Sequence, residues 1–187
     1  MTEIILETER LILRPLSYKD IEAVWEYNSD PQVIRYMYEL SVKPGETFPR
    51  EKTEEFLKGC DVEWAKDAND RSFYEFAIIE KSTGNFIGNI CVYLEPDKKS
   101  GEFGWTLNRK FHGKGYATEA AIRMKQFSFE SLKLNRIVAR CDERNIPSRR
   151  VMQKLGLNLL WENGPRKYPL SGEEATECMY YLDREEK

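Results

Sequence analysis

The stretch FHGKGYATEAA, residues 111–121, combines residue types that could bind an anion. Gly113 and Gly115 tolerate positive φ and carry no Cβ, so the backbone around them can curl and expose successive N–H groups. A helix predicted to follow at once adds the free N–H groups and the partial positive charge of its N-terminus. These features predict a phosphate cradle, although an isolated GxG is more often a plain strand-to-helix turn.

Two well-known phosphate-binding motifs do not fit this stretch. A P-loop requires GxxxxGK[ST], whereas Lys114 lies between the two glycines and no Ser or Thr follows it directly. A dinucleotide fingerprint requires GxGxxG within a parallel unit, but Thr118 stands at the third glycine and the preceding strand belongs to a predicted antiparallel meander. A third kind of cradle must therefore be considered.

The composition indicates one globular domain covering residues 1–187. Hydrophobic residues make up 41% of the chain and charged residues 33%, which is typical of globular proteins rather than disordered or membrane proteins. The net charge of -3 argues against a general nucleic-acid-binding protein, which normally carries a basic face. We therefore expect neither nucleic acid nor a membrane among its partners.

The start of the chain and its cysteines bear on location. Glu3, Glu7 and Glu9 occupy positions where a secretory signal needs basic residues and an unbroken apolar run, so we expect a cytoplasmic protein. The cysteines have neither CxxC spacing nor a neighbouring histidine, so neither a zinc site nor a disulfide framework is predicted. We expect these thiols to be buried in apolar surroundings; they are Cys60, Cys91, Cys141 and Cys178.

The first third of the chain reads as one strand followed by helices. RLILRPL, residues 10–16, is a short apolar run that suits a strand. Asp20 caps a predicted helix in DIEAVWEYN, and Pro31 begins a further helical turn. Residues 39–50 read as a loop, and apolar residues at every fourth position predict a helix over 51–66.

The remaining two thirds contain most of the predicted strands. SFYEFAIIE, NFIGNICVYL and SGEFGWTLN are separated by turn signals and predict an antiparallel meander. A helix then follows the glycine stretch, NRIVARCD reads as a buried strand, PSRRVMQKLG as a short helix, and LNLLWEN and ATECMYYL as two final strands. About four helices and seven strands with one strand-helix-strand crossover predict an α+β or mixed α/β sandwich.

The chain resembles the GNAT superfamily of acyl-CoA-dependent N-acetyltransferases. The resemblance rests on HGKGYATEA directly after the strand EFGWTLN, followed by a long helix, a strand and RNIPSRRVMQKLGL. The resemblance extends over nearly the whole chain and is greatest to the Rim-type branch, which acetylates the α-amines of ribosomal proteins. It implies a central, mostly antiparallel seven-stranded sheet with a splayed pair of parallel strands. The family loop Q/R-x-x-G-x-G/A corresponds to His112, Gly113, Lys114, Gly115, Tyr116 and Ala117, with His112 in place of the usual Gln or Arg.

The resemblance also implies where coenzyme A binds. Its diphosphate lies on residues 112–117, and its pantetheine arm pairs with a strand that splays from the next parallel strand. These strands correspond to residues 101–108 and 136–142, which places the thioester near Trp105, Thr106 and Leu107. The N–H of Leu107 is the predicted oxyanion donor, and Asn145 is predicted to contact the pantetheine arm or, alternatively, to be a turn residue.

The residues that transfer protons are less clearly defined. Glu102 is predicted as the base or amine-positioning group because it lies on the strand close to the expected thioester; an ordinary solvated glutamate is the alternative. Many GNAT enzymes have a tyrosine where this chain has Met152, so the usual acid is missing. Ser148 is predicted to donate a proton to the leaving thiolate, or else to be an ordinary first-turn residue.

The main hypothesis is an enzyme that transfers acetyl from acetyl-CoA to a primary amine by direct attack on the thioester, without a metal. A protein N-terminus is preferred because an α-amine, with a pKa of about 7.7–8.0, is far easier to deprotonate than a lysine side chain. One alternative is a small amine such as a polyamine, an aminoglycoside or an amino-acid analogue. Another is a non-catalytic acyl-CoA-binding module. The protein is expected to be a monomer or a homodimer.

Overall fold

In the computed structural model, which describes residues 4–185, the chain forms one eight-stranded sheet and five α-helices. The strands are β1 (Leu6–Glu7), β2 (Leu11–Pro15), β3 (Phe73–Glu80), β4 (Phe86–Leu94), β5 (Ser100–Leu107), β6 (Arg136–Asp142), β7 (Asn158–Lys167) and β8 (Glu174–Asp183). The helices are α1 (Ile21–Asn28), α2 (Pro31–Ile34), α3 (Arg50–Ala65), α4 (Tyr116–Gln126) and α5 (Ile146–Lys154). Glu3, part of the acidic start of the chain, lies outside the described residues.

The sheet has the order β1-β2-β3-β4-β5-β6-β8-β7. Its neighbouring strands are antiparallel except β5 and β6, which are parallel. The mixed α/β class, the meander β3-β4-β5 and the parallel pair are therefore confirmed. The strand beyond the predicted seven is β1, whose two residues are too short to produce an alternating pattern.

The sheet separates two hydrophobic cores. On one face α4 and α5 cover a large core in which Phe103 and Leu107 of β5 pack with Met124 of α4. On the other face α1 and α3 cover a smaller core that includes Val24 and Leu57. Strand alternation thus places Phe103, Trp105 and Leu107 toward α4.

The second face is only partly covered by helices. α1 and α3 contact β4 and β3, whereas most side chains of β6 and β8 on this face are exposed or half-buried, among them Arg140 and Met179. We call this region, formed by the outward residues of β5–β8, the open face. It contains Glu102, Gly104, Thr106, Arg140, Glu177 and Arg166.

The cysteines are all buried and free, as expected. Cys141 and Cys178 lie directly opposite each other on β6 and β8, with their Sγ atoms 3.8 Å apart. Within residues 4–185, no group of three or more His, Cys, Asp or Glu side chains is arranged to hold a metal ion. None of the helices in this range combines the length and apolar character needed to cross a bilayer.

Candidate acyl-transfer site

A slot opens between the parallel strands β5 and β6. Their register pairs run from Ser100 with Arg136 to Phe103 with Ala139 and end there. Beyond this point β5 continues along β4, where Gly104 lies opposite Cys91, while β6 continues along β8. Beyond Phe103 and Ala139, β5 therefore remains paired with β4 and β6 with β8, but β5 and β6 no longer pair with each other. An extended chain could lie between them.

The backbone of β5 directs polar groups into the slot. The N–H of Asn108 donates to the carbonyl of Ile87 on the β4 side, at 2.8 Å. Because successive residues of a strand point their N–H groups to opposite sides, the N–H groups of Leu107 and Trp105 face the slot. That of Thr106 faces β4, so any contribution of Thr106 to binding must come from its side chain.

The loop before α4 has the backbone geometry predicted from its glycines. Gly113 and Gly115 adopt φ angles of 77° and 82°, a left-handed conformation that other residues rarely adopt. A Cβ built on Gly113 would meet no atom within 4 Å, so the requirement for glycine there is conformational rather than steric. Gly115 directly precedes α4, whose first N–H groups have no acceptor within the helix.

The loop is held in place by side chains that sequence reasoning did not find. Arg10 donates from Nη1 to the carbonyl of Lys114 at 3.1 Å and from Nε to Glu119 Oε2 at 2.6 Å. Glu119 also accepts from the Thr8 hydroxyl at 2.5 Å. Burial tends to raise the pKa of Glu119, but the hydrogen bonds from Thr8 and Arg10 outweigh it and lower the pKa. The start of the chain therefore fixes the loop.

Tyr116 packs rather than points into the loop. Its ring is buried and lies 4.6 Å from the Arg10 guanidinium, and its hydroxyl donates to Glu80. Lys114 is exposed, with its Nζ 5.3 Å from the centre of the Phe111 ring. The predicted cofactor role of Tyr116 therefore reduces to its backbone N–H, together with that of Ala117 in the first turn of α4.

His112 connects the loop to the slot. Its Nε2 lies 2.9 Å from the carbonyl oxygen of Leu107, which faces the slot like the N–H of the same residue. A glutamine or arginine side chain could make a similar contact by donating to this carbonyl. The departure from the family loop thus keeps a side chain that can hold the end of β5.

Asn145 and Ser148 lie together at the start of α5, just after the slot strand β6. The Asn145 Oδ1 accepts from the backbone N–H of Ser148 at 3.2 Å, so the amide caps the helix. The half-buried Ser148 lies in the first turn of α5. Met152, one turn further, is buried in the core and offers no proton.

Glu102 lies on the open face in an ion pair. Arg140 donates to its two carboxylate oxygens from Nε at 3.0 Å and from Nη2 at 2.7 Å. A guanidinium that makes two hydrogen bonds holds the carboxylate in one orientation. The predicted role of Glu102 stays a prediction, and this geometry favours its positioning role over its role as a base.

Glu75 of β3 was missed by sequence reasoning. Its side chain is only 1% exposed, and it accepts from the Asn89 amide at 2.6 Å while Asn89 in turn accepts from the Tyr27 hydroxyl at 2.6 Å. Burial raises the pKa of Glu75 to about 7, only partly offset by hydrogen bonds from Asn89 and Cys91. The available signal was a glutamate on the buried face of FYEFAIIE.

Glu75 also lies in one cross-strand row with the slot. It is opposite Cys91 on β4, and Cys91 is opposite Gly104 on β5. Gly104 is the first residue of β5 beyond the last pair with β6. A carboxyl group that titrates near neutral pH is thus placed two strands from the slot, on the open-face side of the sheet.

Two further carboxylates, one on the open face and one in the β7–β8 turn beside it, are also paired with arginines. Glu177 accepts from Arg166 at 2.6 Å and Glu173 from Arg144 at 2.7 Å. Nearby, a cavity of about 500 Å³ lies between the segment after α1 and the β7–β8 turn. Residues that line it include Pro31, Ile34, Arg35, Lys43, Glu46 and Glu173. Both signs of charge therefore occur around this cavity.

Comparison with known proteins gives a family. Residues 10–158 match the acetyltransferase (GNAT) domain family. An uncharacterized N-acetyltransferase, YnaD of Bacillus subtilis (strain 168), is 33% identical over 182 residues, which cover 97% of this chain and 98% of that protein. The similarity thus extends from end to end of both chains.

Two solved structures share the fold at low identity. The RimL ribosomal L7/L12 α-N-protein acetyltransferase in complex with coenzyme A has a TM-score of 0.80 at 17% identity, covering 96% of this chain and 98% of that one. Spermidine N-acetyltransferase from Vibrio cholerae, in complex with CoA and spermine, has a TM-score of 0.76 at 18% identity, covering 94% of this chain and 96% of that one.

Proposed function

The chain belongs to the GNAT family of N-acetyltransferases and is an acyltransferase, and from that premise we propose that it moves acetyl from acetyl-CoA to the α-amine of a protein N-terminus. The observation that carries this proposal is the slot between β5 and β6, which begins beside the glycine loop.

The residues of the loop fit a diphosphate. Two left-handed glycines expose backbone N–H groups, and α4 adds those of its first turn together with the positive end of its dipole. Because these groups belong to the backbone, His112 in place of Gln or Arg leaves the cradle intact. Arg10 holds the loop through the carbonyl of Lys114.

The slot fits the extended arm of the same molecule. Trp105 and Leu107 offer backbone groups on one side, and the Asn145 amide at the start of α5 offers a further donor. The thioester supplies the acyl carbon that the amine attacks. The N–H of Leu107 donates to the oxygen that becomes negative during the attack, and His112, bound to the carbonyl of the same residue, holds this part of the strand in place.

Proton transfer makes modest demands at this site. An α-amine needs only about 1 kcal/mol to lose its proton at pH 7, so a strong base is unnecessary. We assign Glu102 to positioning of the amine, because Arg140 holds its carboxylate in place through two hydrogen bonds. Glu75 supplies a buried charge that appears as the pH rises past about 7 and favours an amine on the open face. Ser148 donates a proton to the departing thiolate.

The pairing of carboxylates supports a singly charged acceptor. A polyamine requires several carboxylates free of counterions, whereas Glu102, Glu173 and Glu177 are each paired with an arginine. A protein N-terminus carries one charge on its α-amine and places its remaining backbone along the open face. Small amines are the alternative acceptors, and the experiment compares them with peptides.

The test is acetyl transfer observed by intact mass. The purified protein is incubated with acetyl-CoA and with one of two acceptors, a pool of N-terminal peptides or spermidine with spermine, and thiol release is followed in parallel. We expect a +acetyl product on peptide α-amines and little on the polyamines. Efficient acetylation of polyamines would refute the acceptor, and failure to bind CoA would refute the site.

A further inference from the structure

A short segment after α2 crosses the open face above the slot. Within residues 36–38, the sulfur of Met37 accepts from the Thr106 hydroxyl at 3.5 Å. Thr106 is 9% exposed and lies three residues beyond Phe103, the last residue of β5 that pairs with β6. Met37 is half-buried, so part of its side chain lies against the open face while the rest borders solvent.

Two arginines hold this segment in place. Arg166 donates from Nη2 to the carbonyl of Tyr36 at 3.3 Å, and its guanidinium lies 5.1 Å from the centre of the Tyr38 ring. Arg144 lies 5.5 Å from the Tyr36 ring. Arg166 is only 8% exposed and is paired with Glu177. Both neighbours of Met37 are thus fixed to the β7–β8 side of the protein.

Gly104 leaves the open face of β5 without a side chain beside Thr106. A Cβ there would lie 2.9 Å from the sulfur of Cys91. On the same face of β5, Glu102 with its Arg140 partner lies to one side of Gly104 and Thr106 with Met37 to the other. We call the surface over Gly104, between these two pairs, the recess.

We propose that Met37 limits the length of the acyl group that this enzyme accepts, so that acetyl fits the recess and longer chains do not. The inference rests on the proposed function, which places the thioester in the slot at Gly104–Leu107. A diphosphate on the loop before α4 brings the arm in from the α4 side, and the acyl group then emerges on the opposite side of the sheet, at Gly104 and Met37.

The expected size of the effect follows from the atoms involved. One methylene in an apolar pocket changes discrimination by about 10- to 200-fold. A butyryl chain is two methylenes longer than acetyl, and Met37→Ala removes three heavy atoms beside the recess. Met37→Phe fills the recess instead, and Met37→Leu keeps nearly the same volume.

The experiment measures the affinity of CoA, acetyl-CoA and butyryl-CoA by calorimetry, which needs no acceptor. We expect the wild type to bind butyryl-CoA about tenfold or more weakly than acetyl-CoA, and Met37→Ala to reduce this ratio to about threefold or less. Met37→Phe should weaken acetyl-CoA binding while leaving CoA binding unchanged. Met37→Leu should resemble the wild type.

Met179→Ala is the matched control. Met179 is also a half-buried methionine on the open face, but it lies on β8, opposite Arg140, and should leave the butyryl-to-acetyl ratio unchanged. A ratio that Met37→Ala does not move, or that Met179→Ala moves equally, overturns the inference alone. A wild type that binds neither CoA nor acetyl-CoA overturns the proposed function and this inference with it.

Discussion

The two sides of the slot are built in different ways. On the α4 side, the candidate cofactor site consists of backbone groups, with glycines where the chain must turn, and Arg10 holds the loop from the start of the chain. On the open face, the candidate acceptor site consists of arginine-carboxylate pairs and aromatic contacts between segments far apart in sequence. The first construction is specified by a short motif, whereas the second depends on the tertiary fold.

The largest effect should come from the backbone of the cofactor side. Gly115→Val forces a β-branched residue into a φ of 82° and displaces the N–H groups that precede α4. We expect the KM for acetyl-CoA to rise about 100-fold, of the order seen when oriented backbone donors are lost. Gly84→Val is the control, because Gly84 has a φ of 72° and open space around it in the β3–β4 turn. Equal KM values for both variants would contradict the cradle.

A smaller effect should follow from loosening the same loop. Arg10→Ala removes the contacts to Lys114 and Glu119 without touching the glycines, and we expect the KM for acetyl-CoA to rise about tenfold. Arg136→Ala removes a comparable exposed ion pair with Asp183, far from the loop, and should change the KM less than about twofold, since such pairs contribute little. Steady-state kinetics of the two variants, compared directly, tests whether Arg10 positions the loop.

Ser148, at the start of α5, should affect kcat rather than the KM for acetyl-CoA. Ser148→Ala removes the proposed donor to the thiolate, and we expect kcat to fall about tenfold with an unchanged KM for acetyl-CoA. The effect is limited because a thiol with a pKa of about 8.5 leaves readily without help. Ser148→Thr keeps the hydroxyl and should retain most of the activity. Full activity of the alanine variant would place the acid elsewhere.

On the open-face side of the sheet, Glu75 predicts a dependence of stability on pH. Folded Glu75 keeps its proton up to about pH 7, whereas the unfolded carboxyl loses it near its ordinary value of 4.5. The folded state binds more protons between these values, so the free energy of unfolding should fall as the pH rises from about 4.5 through 7, by about 3 kcal/mol at most. Denaturant titrations at several pH values measure this loss.

Glu75→Gln tests whether the buried carboxyl on the open-face side of the sheet causes this pH dependence. The variant cannot ionise at this position, so it should lose that part of the pH dependence of stability and be more stable than the wild type at pH 8. Its kcat/KM should also lose any rise centred near pH 7, while Glu102→Gln, which leaves Glu75 unchanged, should retain that rise. An identical stability profile in wild type and Glu75→Gln would show that burial of Glu75 has little energetic effect.

The sequence predicted the fold because local pattern and tertiary packing agree in most elements. Alternation defined the meander, and Pro31 and Gly115 marked the starts of helices that the structure contains. β1 was missed because two residues form a strand only when β2 is present to pair with them. The backbone geometry of the cradle was predictable because glycine is the residue that most readily adopts positive φ.

The side chains that hold the site could not be predicted in the same way. Arg10 and Glu119 are more than one hundred residues apart and meet only after the sheet brings β2 beside α4. The partner of Glu102 is Arg140, on the one strand that is parallel to β5, and the partner of Met37 is Thr106. Each of these contacts forms because the sheet topology brings distant segments together. No motif or spacing in the sequence marks the residues that make them.

The slot has one consequence for how the protein behaves in solution. It gives the sheet two inner margins, Gly104–Leu107 and Arg140–Asp142, whose main-chain groups lack a strand partner across the gap. Exposed strand margins invite pairing with other chains and lead to aggregation. Here each margin is only a few residues long, so it offers a foreign strand few main-chain groups with which to pair. Amide hydrogens along these margins should exchange rapidly in the free enzyme and slowly once the gap is filled.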